Sequence, residues 1–168
     1  YYEDIKIKKM ILIAPPLDIQ LSVKNKISKW FFQFLSKTAK VDSMIQVPSW
    51  VRDPHHTYYP EFNEFLNVDK LSINEVAVKT MGDYMNYLAF INRYIEYSDI
   101  PVYIFQGSGD TYTNPVAAHK LFQKWKCREK YIRLYENANH NLLFDKFAQE
   151  IWQKIQEFIL HDTPLQNS

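Results

Sequence analysis

The sequence predicts an α/β fold in which three parallel strands are flanked by helices and interrupted by a long helical insertion. Two runs, Lys9 to Ala14 and Pro101 to Phe105, are almost wholly apolar, and a third, Tyr131 to Tyr135, is mostly so. Runs of this length are typical of strands that are covered on both faces of a sheet. Segments with helical periodicity lie between them, and this alternation predicts a parallel sheet packed between helices.

The composition indicates a globular protein without a nucleic-acid partner. Hydrophobic residues make up 46% of the 168 residues and aromatic residues 16%, which argues against intrinsic disorder. The formal net charge is +1 with both signs interspersed, so the chain lacks the basic stripe that nucleic-acid binding needs. Cys127 is the single cysteine, so no internal disulfide can form, and we expect a cytoplasmic protein.

The segment after the first strand, residues 20–97, is predicted to be an insertion that contains helices. Its first helix spans Lys26 to Lys40, and one wide apolar face is formed at helical spacing by Ile27, Trp30, Phe31, Phe34 and Leu35. This face either packs on the protein's own core or, because bulky aromatic side chains adjoin lysines, contacts a lipid interface.

The rest of the insertion is predicted to be a loop and a second helix. Prolines punctuate Val47 to Pro60, which indicates a loop. Ser72-Ile73-Asn74-Glu75 matches a capping box, so we expect a helix to begin at Ser72 and to run to about Tyr97. The sequence Ser98-Asp99-Ile100-Pro101 ends it, since the residue before a proline disfavours helical angles.

Polar residues follow the second and third strands. Gly107-Ser108-Gly109-Asp110 comes after one strand, and Asn139-His140 follows the next. Asn114-Pro115 begins the helix between them, and a last helix is expected after Phe144-Asp145. Because the carboxyl ends of parallel strands share one edge of the sheet, Asp110 and His140 can meet there. A carboxylate beside an imidazole orients it as a general base.

At this point the sequence resembles a known family. The pattern PVYIFQGSGDTYTNPVAAHKLFQKW followed by YIRLYENANHNLLFD resembles the C-terminal part of α/β-hydrolases of the serine aminopeptidase, monoacylglycerol lipase and lysophospholipase type. Met10 to Ile19 is similar to the family's strand before its lid, and Arg52-Asp53-Pro54 to a short segment within that lid. The resemblance implies that Asp110 is the acid and His140 the base of a catalytic triad.

The chain departs from that family at the nucleophile. The family's serine lies in Gly-x-Ser-x-Gly before the acid and the base, whereas this chain has 3 glycines and no such motif. Ser108 lies between two glycines in the acid loop and at the wrong spacing, so we do not expect it to be the nucleophile. The resemblance therefore covers half of the family's fold, and an N-terminal half must carry the attacking serine.

The resemblance implies a serine hydrolase of carboxylic esters, of the lysophospholipase or monoacylglycerol lipase type, whose substrate is a lipid-like ester. Within a single partial hydrolase domain, residues 20–97 then form the lid, and Trp30, Phe31 and Phe34 contact the acyl chain or a membrane surface. No cofactor or metal is expected. The alternatives are a non-catalytic remnant that binds an acyl ligand or a protein partner, or another chemistry of the fold, such as an epoxide hydrolase, a dehalogenase or a peptidase.

Overall fold

A parallel sheet of three strands forms the centre of the structure, a computed structural model that describes residues 6–17, 34, 43–46, 57–70 and 75–160. The strands are β1 (Met10–Ile13), β2 (Met44–Gln46), β3 (Glu75–Ala77), β4 (Val102–Gly107) and β5 (Lys130–Tyr135). The central sheet has the order β1-β4-β5, and both of its pairings are parallel. The predicted α/β class with three parallel strands is confirmed.

Helices connect the strands and cover the sheet. They are α1 (Pro60–Val68), α2 (Val78–Tyr94), α3 (Pro115–Lys124) and α4 (Ala148–Leu160), with short 3-10 turns at Ile95–Tyr97 and Leu142–Phe144. The helix at Asn114-Pro115 is capped as predicted, because the Asn114 side-chain oxygen accepts from the Val116 N–H at 3.0 Å.

The core lies on both faces of β4, whose six residues are all buried. Side chains alternate along a strand, so Tyr103 and Phe105 face one side while Val102 and Ile104 face the other. The first pair packs in a cluster that includes Ile151, Ile155 and Phe158 of α4. The second pair packs with Ala118, Leu121 and Trp125 at the α3 side, against which Ile91 and Ile95 also lie.

Two lysines hold the ends of the covering helices. Lys130 Nζ donates to the carbonyl oxygens of Phe122 at 2.9 Å and Trp125 at 2.6 Å, near the end of α3. Lys9 Nζ donates to the Phe158 carbonyl at 2.7 Å, near the end of α4. The last carbonyls of a helix lack intrahelical donors and carry partial negative charge, so each ammonium group stabilises a helix terminus.

The predicted helix start at Ser72 is wrong. Glu75 lies in β3, which pairs with β2 in an antiparallel ribbon, and the Gln46 amide bonds the Glu75 carboxylate. The helix begins at Val78 after Ala77, which supplies no side-chain cap. Cross-strand pairing therefore takes precedence over the local capping pattern. The predicted end near Tyr97 agrees with the 3-10 turn Ile95–Tyr97.

Other expectations need smaller corrections or lie outside the described residues. The α1 helix was not predicted, although Pro60 lies in its first turn, where proline is favoured. The last helix begins at Ala148 and not directly after Asp145. Of the predicted aromatic helix Lys26 to Lys40, only residue 34 is described, and it is helical. No helix in the described part of the chain is long and apolar enough to span a membrane.

Candidate active site

Asp110 lies in a tight turn after β4, and its carboxylate is completely buried. Oδ1 accepts hydrogen bonds from the backbone N–H groups of Tyr112 at 2.8 Å and Thr113 at 2.9 Å. Oδ2 accepts from the Thr113 hydroxyl at 2.6 Å and from Gln106 Nε2 at 3.0 Å. A buried charge is tolerated only when its lone pairs are satisfied, and both oxygens meet that condition.

His140 completes this set of partners. Its Nδ1 lies 2.9 Å from Asp110 Oδ2, and 29% of its side chain is exposed. The ring of Tyr112 lies beside it, with 5.2 Å between the ring centroids. Because the carboxylate can only accept, Nδ1 is the donor, and the neutral imidazole has its free lone pair on Nε2. The structure thus brings together the two residues that the sequence singled out.

The environment keeps Asp110 charged. Burial alone would raise the pKa of its carboxyl, but hydrogen bonds from His140 and from the Thr113 hydroxyl and backbone N–H hold that pKa below its ordinary value of 3.8. An ionised carboxylate next to an imidazole stabilises the imidazolium form. With Nδ1 bonded to the carboxylate, Nε2 is the ring atom that is left to act as a base.

Contacts between the two loops fix the pair independently of their own hydrogen bond. The Gly109 N–H donates to the Ala138 carbonyl at 3.0 Å, and the Asn137 N–H donates to Ser108 Oγ at 2.9 Å. A β-carbon on Gly107 would overlap the Ala138 carbonyl oxygen, so only glycine permits this approach. Asn137 itself has φ +56°, a conformation that asparagine tolerates.

The turn that follows His140 is tied to the segment before α1. The buried Asp145 accepts from the Tyr58 N–H at 3.2 Å through Oδ2 and from the Lys146 N–H at 2.6 Å through Oδ1. The rings of Phe62 and Phe144 stack with 4.4 Å between their centroids. We call these three interactions the 58–145 junction. Sequence reasoning missed it, since Phe144-Asp145 indicates only the start of the last helix and no local pattern joins residues so far apart.

The aromatic residues predicted to contact substrate are not brought to this pair in the described structure. Trp30 and Phe31 lie outside the described residues, and Phe34 is 52% exposed. Among the described residues, no group of three or more His, Cys, Asp or Glu could hold a metal ion. The geometry of the Asp110–His140 pair suits proton transfer at the imidazole.

Most of the chain matches the sequence model of a known protein family. The sequence model of a family described as "Serine aminopeptidase, S33" matches residues 1–147. No curated protein sequence matches the chain.

Solved structures share the fold at low sequence identity. A monoacylglycerol lipase from Paleococcus ferrophilus superimposes with a TM-score of 0.79 at 19% identity, covering 92% of this chain and 59% of the lipase. A soluble variant of monoglyceride lipase from Saccharomyces cerevisiae, in complex with a substrate analog, gives 0.72 at 18% identity, covering 89% of this chain and 54% of that one. The chain thus spans between half and two thirds of the length of these proteins.

Proposed function

Since this chain belongs to the serine aminopeptidase S33 family of α/β-hydrolases, we propose that it serves in the hydrolysis of carboxylic esters. In this proposal Asp110 is the acid and His140 the base of a Ser-His-Asp triad. The observation that carries it is the 2.9 Å hydrogen bond between His140 Nδ1 and the buried Asp110 carboxylate. Because this hydrogen bond uses Nδ1, the other ring nitrogen of the partly exposed His140, Nε2, can accept a proton.

The proposed reaction is acyl transfer to a serine and then to water. His140 Nε2 takes the proton of the serine hydroxyl as its oxygen attacks the ester carbonyl, and the imidazolium then protonates the leaving alcohol. A water molecule repeats the cycle on the acyl-enzyme with the same base. Asp110 remains ionised throughout and stabilises the imidazolium. Backbone donors that stabilise the oxyanion are needed as well.

The serine is proposed to lie outside these 168 residues, on an N-terminal half in the same protein or on a partner chain. Family members hold it in Gly-x-Ser-x-Gly, and the chain has no such motif. Ser108 is an unsuitable candidate, because its Oγ accepts a hydrogen bond from the Asn137 N–H within the acid loop. Without its complement, the chain is expected to be inactive.

The proposed substrate is a lipid-like ester such as a monoacylglycerol or a lysophospholipid. Two of the structural neighbours are named monoacylglycerol or monoglyceride lipases, and one of them was solved with a substrate analog. The predicted lid, residues 20–97, contributes Trp30, Phe31 and Phe34, whose apolar surface suits an acyl chain. The helix predicted from Lys26 to Lys40, which carries these aromatic residues, is also proposed to contact a membrane surface. The protein is proposed to be cytoplasmic.

The test is labelling of the native protein with a fluorophosphonate, which reacts with the activated serine of such hydrolases. We expect a labelled complex that contains this chain and that hydrolyses monoacylglycerols or lysophospholipids. Substituting Asp110→Asn or His140→Ala should abolish labelling, whereas His119→Ala, at an exposed histidine of α3, should leave it unchanged. If the native protein binds acyl ligands but is never labelled, the chain is a binding remnant and the hydrolase proposal is wrong.

A further inference from the structure

Two polar side chains that sequence reasoning did not single out lie buried against Asp110. Gln106 is fully buried on the central strand β4, on the same side as the apolar Val102 and Ile104. Thr113 lies just before α3 and is 3% exposed. A glutamine is unusual at an interior strand position, because burying its amide is unfavourable unless both polar atoms are satisfied.

Gln106 and Thr113 both donate to Asp110 Oδ2, and Gln106 Nε2 also lies 3.2 Å from the Gly107 carbonyl oxygen. Gln106 Nε2 lies 3.0 Å from Asp110 Oδ2 and 3.3 Å from Thr113 Oγ1, and the Thr113 hydroxyl lies 2.6 Å from the same Oδ2. Because the threonine oxygen accepts from the amide, its single proton points to the carboxylate. If the Gln106 amide were flipped, its carbonyl oxygen would face the Asp110 carboxylate and repel it. The orientation with Nε2 toward Oδ2 is therefore the favourable one.

The other polar atom of the Gln106 amide, Oε1, lies in an unfavourable environment. Gln106 Oε1 is buried and has no hydrogen-bond partner among the described residues. A methionine of nearly the same shape would fill the space without leaving an acceptor unpaired, and such replacements can be neutral or stabilising. The benefit of glutamine therefore lies in what its N–H groups do for Asp110, Thr113 and the Gly107 carbonyl.

We propose that Gln106 and Thr113 are positioning residues that fix Asp110 Oδ2 toward His140 Nδ1. The proposal rests on the hydrolase function proposed above. His140 approaches Oδ2 from the exposed side, while Gln106 and Thr113 bond it from the buried side. Without them the carboxylate keeps the backbone bonds to Oδ1 but can rotate Oδ2 away from the imidazole.

The test compares four variants of the intact native protein. Thr113→Val removes the hydroxyl and keeps the shape of the side chain, whereas Thr113→Ser keeps the hydroxyl and removes only the methyl group. Gln106→Met removes the amide, and Gln123→Met on the exposed part of α3 is the matched control. We expect Thr113→Val and Gln106→Met to lower kcat for ester hydrolysis about tenfold or more with KM unchanged. Thr113→Ser and Gln123→Met should resemble the wild type.

A second measurement does not depend on activity. The His140 Nδ1 proton, hydrogen-bonded to a carboxylate, should give a far-downfield proton NMR signal. We expect Thr113→Val and Gln106→Met to broaden or abolish that signal while the rest of the spectrum stays dispersed, and Thr113→Ser to keep it. A sharp signal together with wild-type kcat in both apolar variants would overturn the positioning role.

The outcomes separate the two proposals. If Asp110→Asn and His140→Ala lose activity while the apolar variants keep it, the hydrolase function stands and the positioning role is wrong. If the apolar variants lose the NMR signal but the native protein is never labelled by a fluorophosphonate and hydrolyses no ester, the positioning geometry is real and the hydrolase function is wrong. A variant whose loss of kcat is matched by general loss of the folded spectrum counts against positioning, because it indicates a purely structural role.

Discussion

Gly107 and Ala138 meet backbone to backbone at the carboxyl edge of the sheet, where the loop that carries Asp110 presses against the loop that carries His140. A β-carbon on Gly107 would overlap the Ala138 carbonyl oxygen and lie 2.6 Å from that of Asn139. On Gly109 a β-carbon would lie 3.2 Å from the Ala138 oxygen, a contact that a small shift relieves. The close approach of the two loops, which brings Asp110 near His140, therefore depends on Gly107 having no side chain.

Gly107→Ala is expected to separate the two loops, because neither of the overlapping groups is a flexible side chain. We expect a loss of about 2–4 kcal/mol in the free energy of unfolding, measured with urea, and weaker fluorophosphonate labelling of the native protein. Gly109→Ala is the matched control and should cost markedly less. Equal effects at the two positions would contradict this interpretation of the contact.

Ser108→Ala tests whether the serine of the acid loop is structural. Its Oγ accepts from the Asn137 N–H at 2.9 Å, so its removal should lower the free energy of unfolding by about 1 kcal/mol. Labelling by fluorophosphonates should persist in the native protein. Ser98→Ala, which loses a longer bond of 3.4 Å to the Ile100 N–H, serves as the control. Complete loss of labelling in Ser108→Ala alone would identify it as the nucleophile after all.

Asp110→Asn should inactivate the native protein while preserving its fold. An asparagine amide presents a donor or an uncharged acceptor to His140, so the imidazole loses both its tautomer and the stabilisation of its charged form. A decrease in kcat of about 10⁴-fold is expected, by the size of this effect in serine proteases. Asp83→Asn, at an exposed pair with Lys79, should have no effect.

Acid should weaken the fold through Asp110. Its pKa is lowered in the folded protein from the ordinary value of 3.8, so the unfolded chain binds more protons at low pH. The resulting stabilisation is fully present above 3.8 and is lost as the pH falls through the lowered pKa. Urea unfolding of the wild type and of Asp110→Asn between about pH 6 and pH 3 checks this. The difference between them should shrink toward acid, and a pH-independent difference would rule the mechanism out.

The 58–145 junction should hold the segment before α1. Asp145→Ala leaves the Tyr58 N–H without its acceptor, so we expect faster hydrogen exchange at Tyr58 and a loss of about 1–3 kcal/mol in the free energy of unfolding. Asp99→Ala breaks an exposed ion pair with Lys126 and should change stability by less than about 0.5 kcal/mol. Unaltered exchange at Tyr58 in Asp145→Ala would show that the junction contributes nothing.

The parts of this structure that could be predicted from sequence are those encoded locally. Short apolar runs predict the two strands that precede Asp110 and His140, and Asn114-Pro115 marks the start of α3. The elements that sequence reasoning missed depend on distant partners. Glu75 belongs to β3 because β2 lies beside it, and the Asp145 carboxylate serves Tyr58, which is 87 positions away. Gln106 was missed because nothing in the sequence indicates that a glutamine at the end of an apolar run bonds the Asp110 carboxylate.

The loop contacts described above also bear on how the site assembles. Asp110 and His140 are 30 positions apart, and the bonds that fix them join β4, β5 and the two loops that follow these strands. Closing a loop of that length costs little more entropy than closing a shorter one, since the cost grows only logarithmically. The acid and the base therefore come from consecutive strands of the sheet, and closing the chain between them adds only a modest entropic cost. In engineering terms, residues 102–140 carry the acid and the base together, so a complementing segment has to supply the nucleophile and the oxyanion donors while β1 and α4 continue to cover β4.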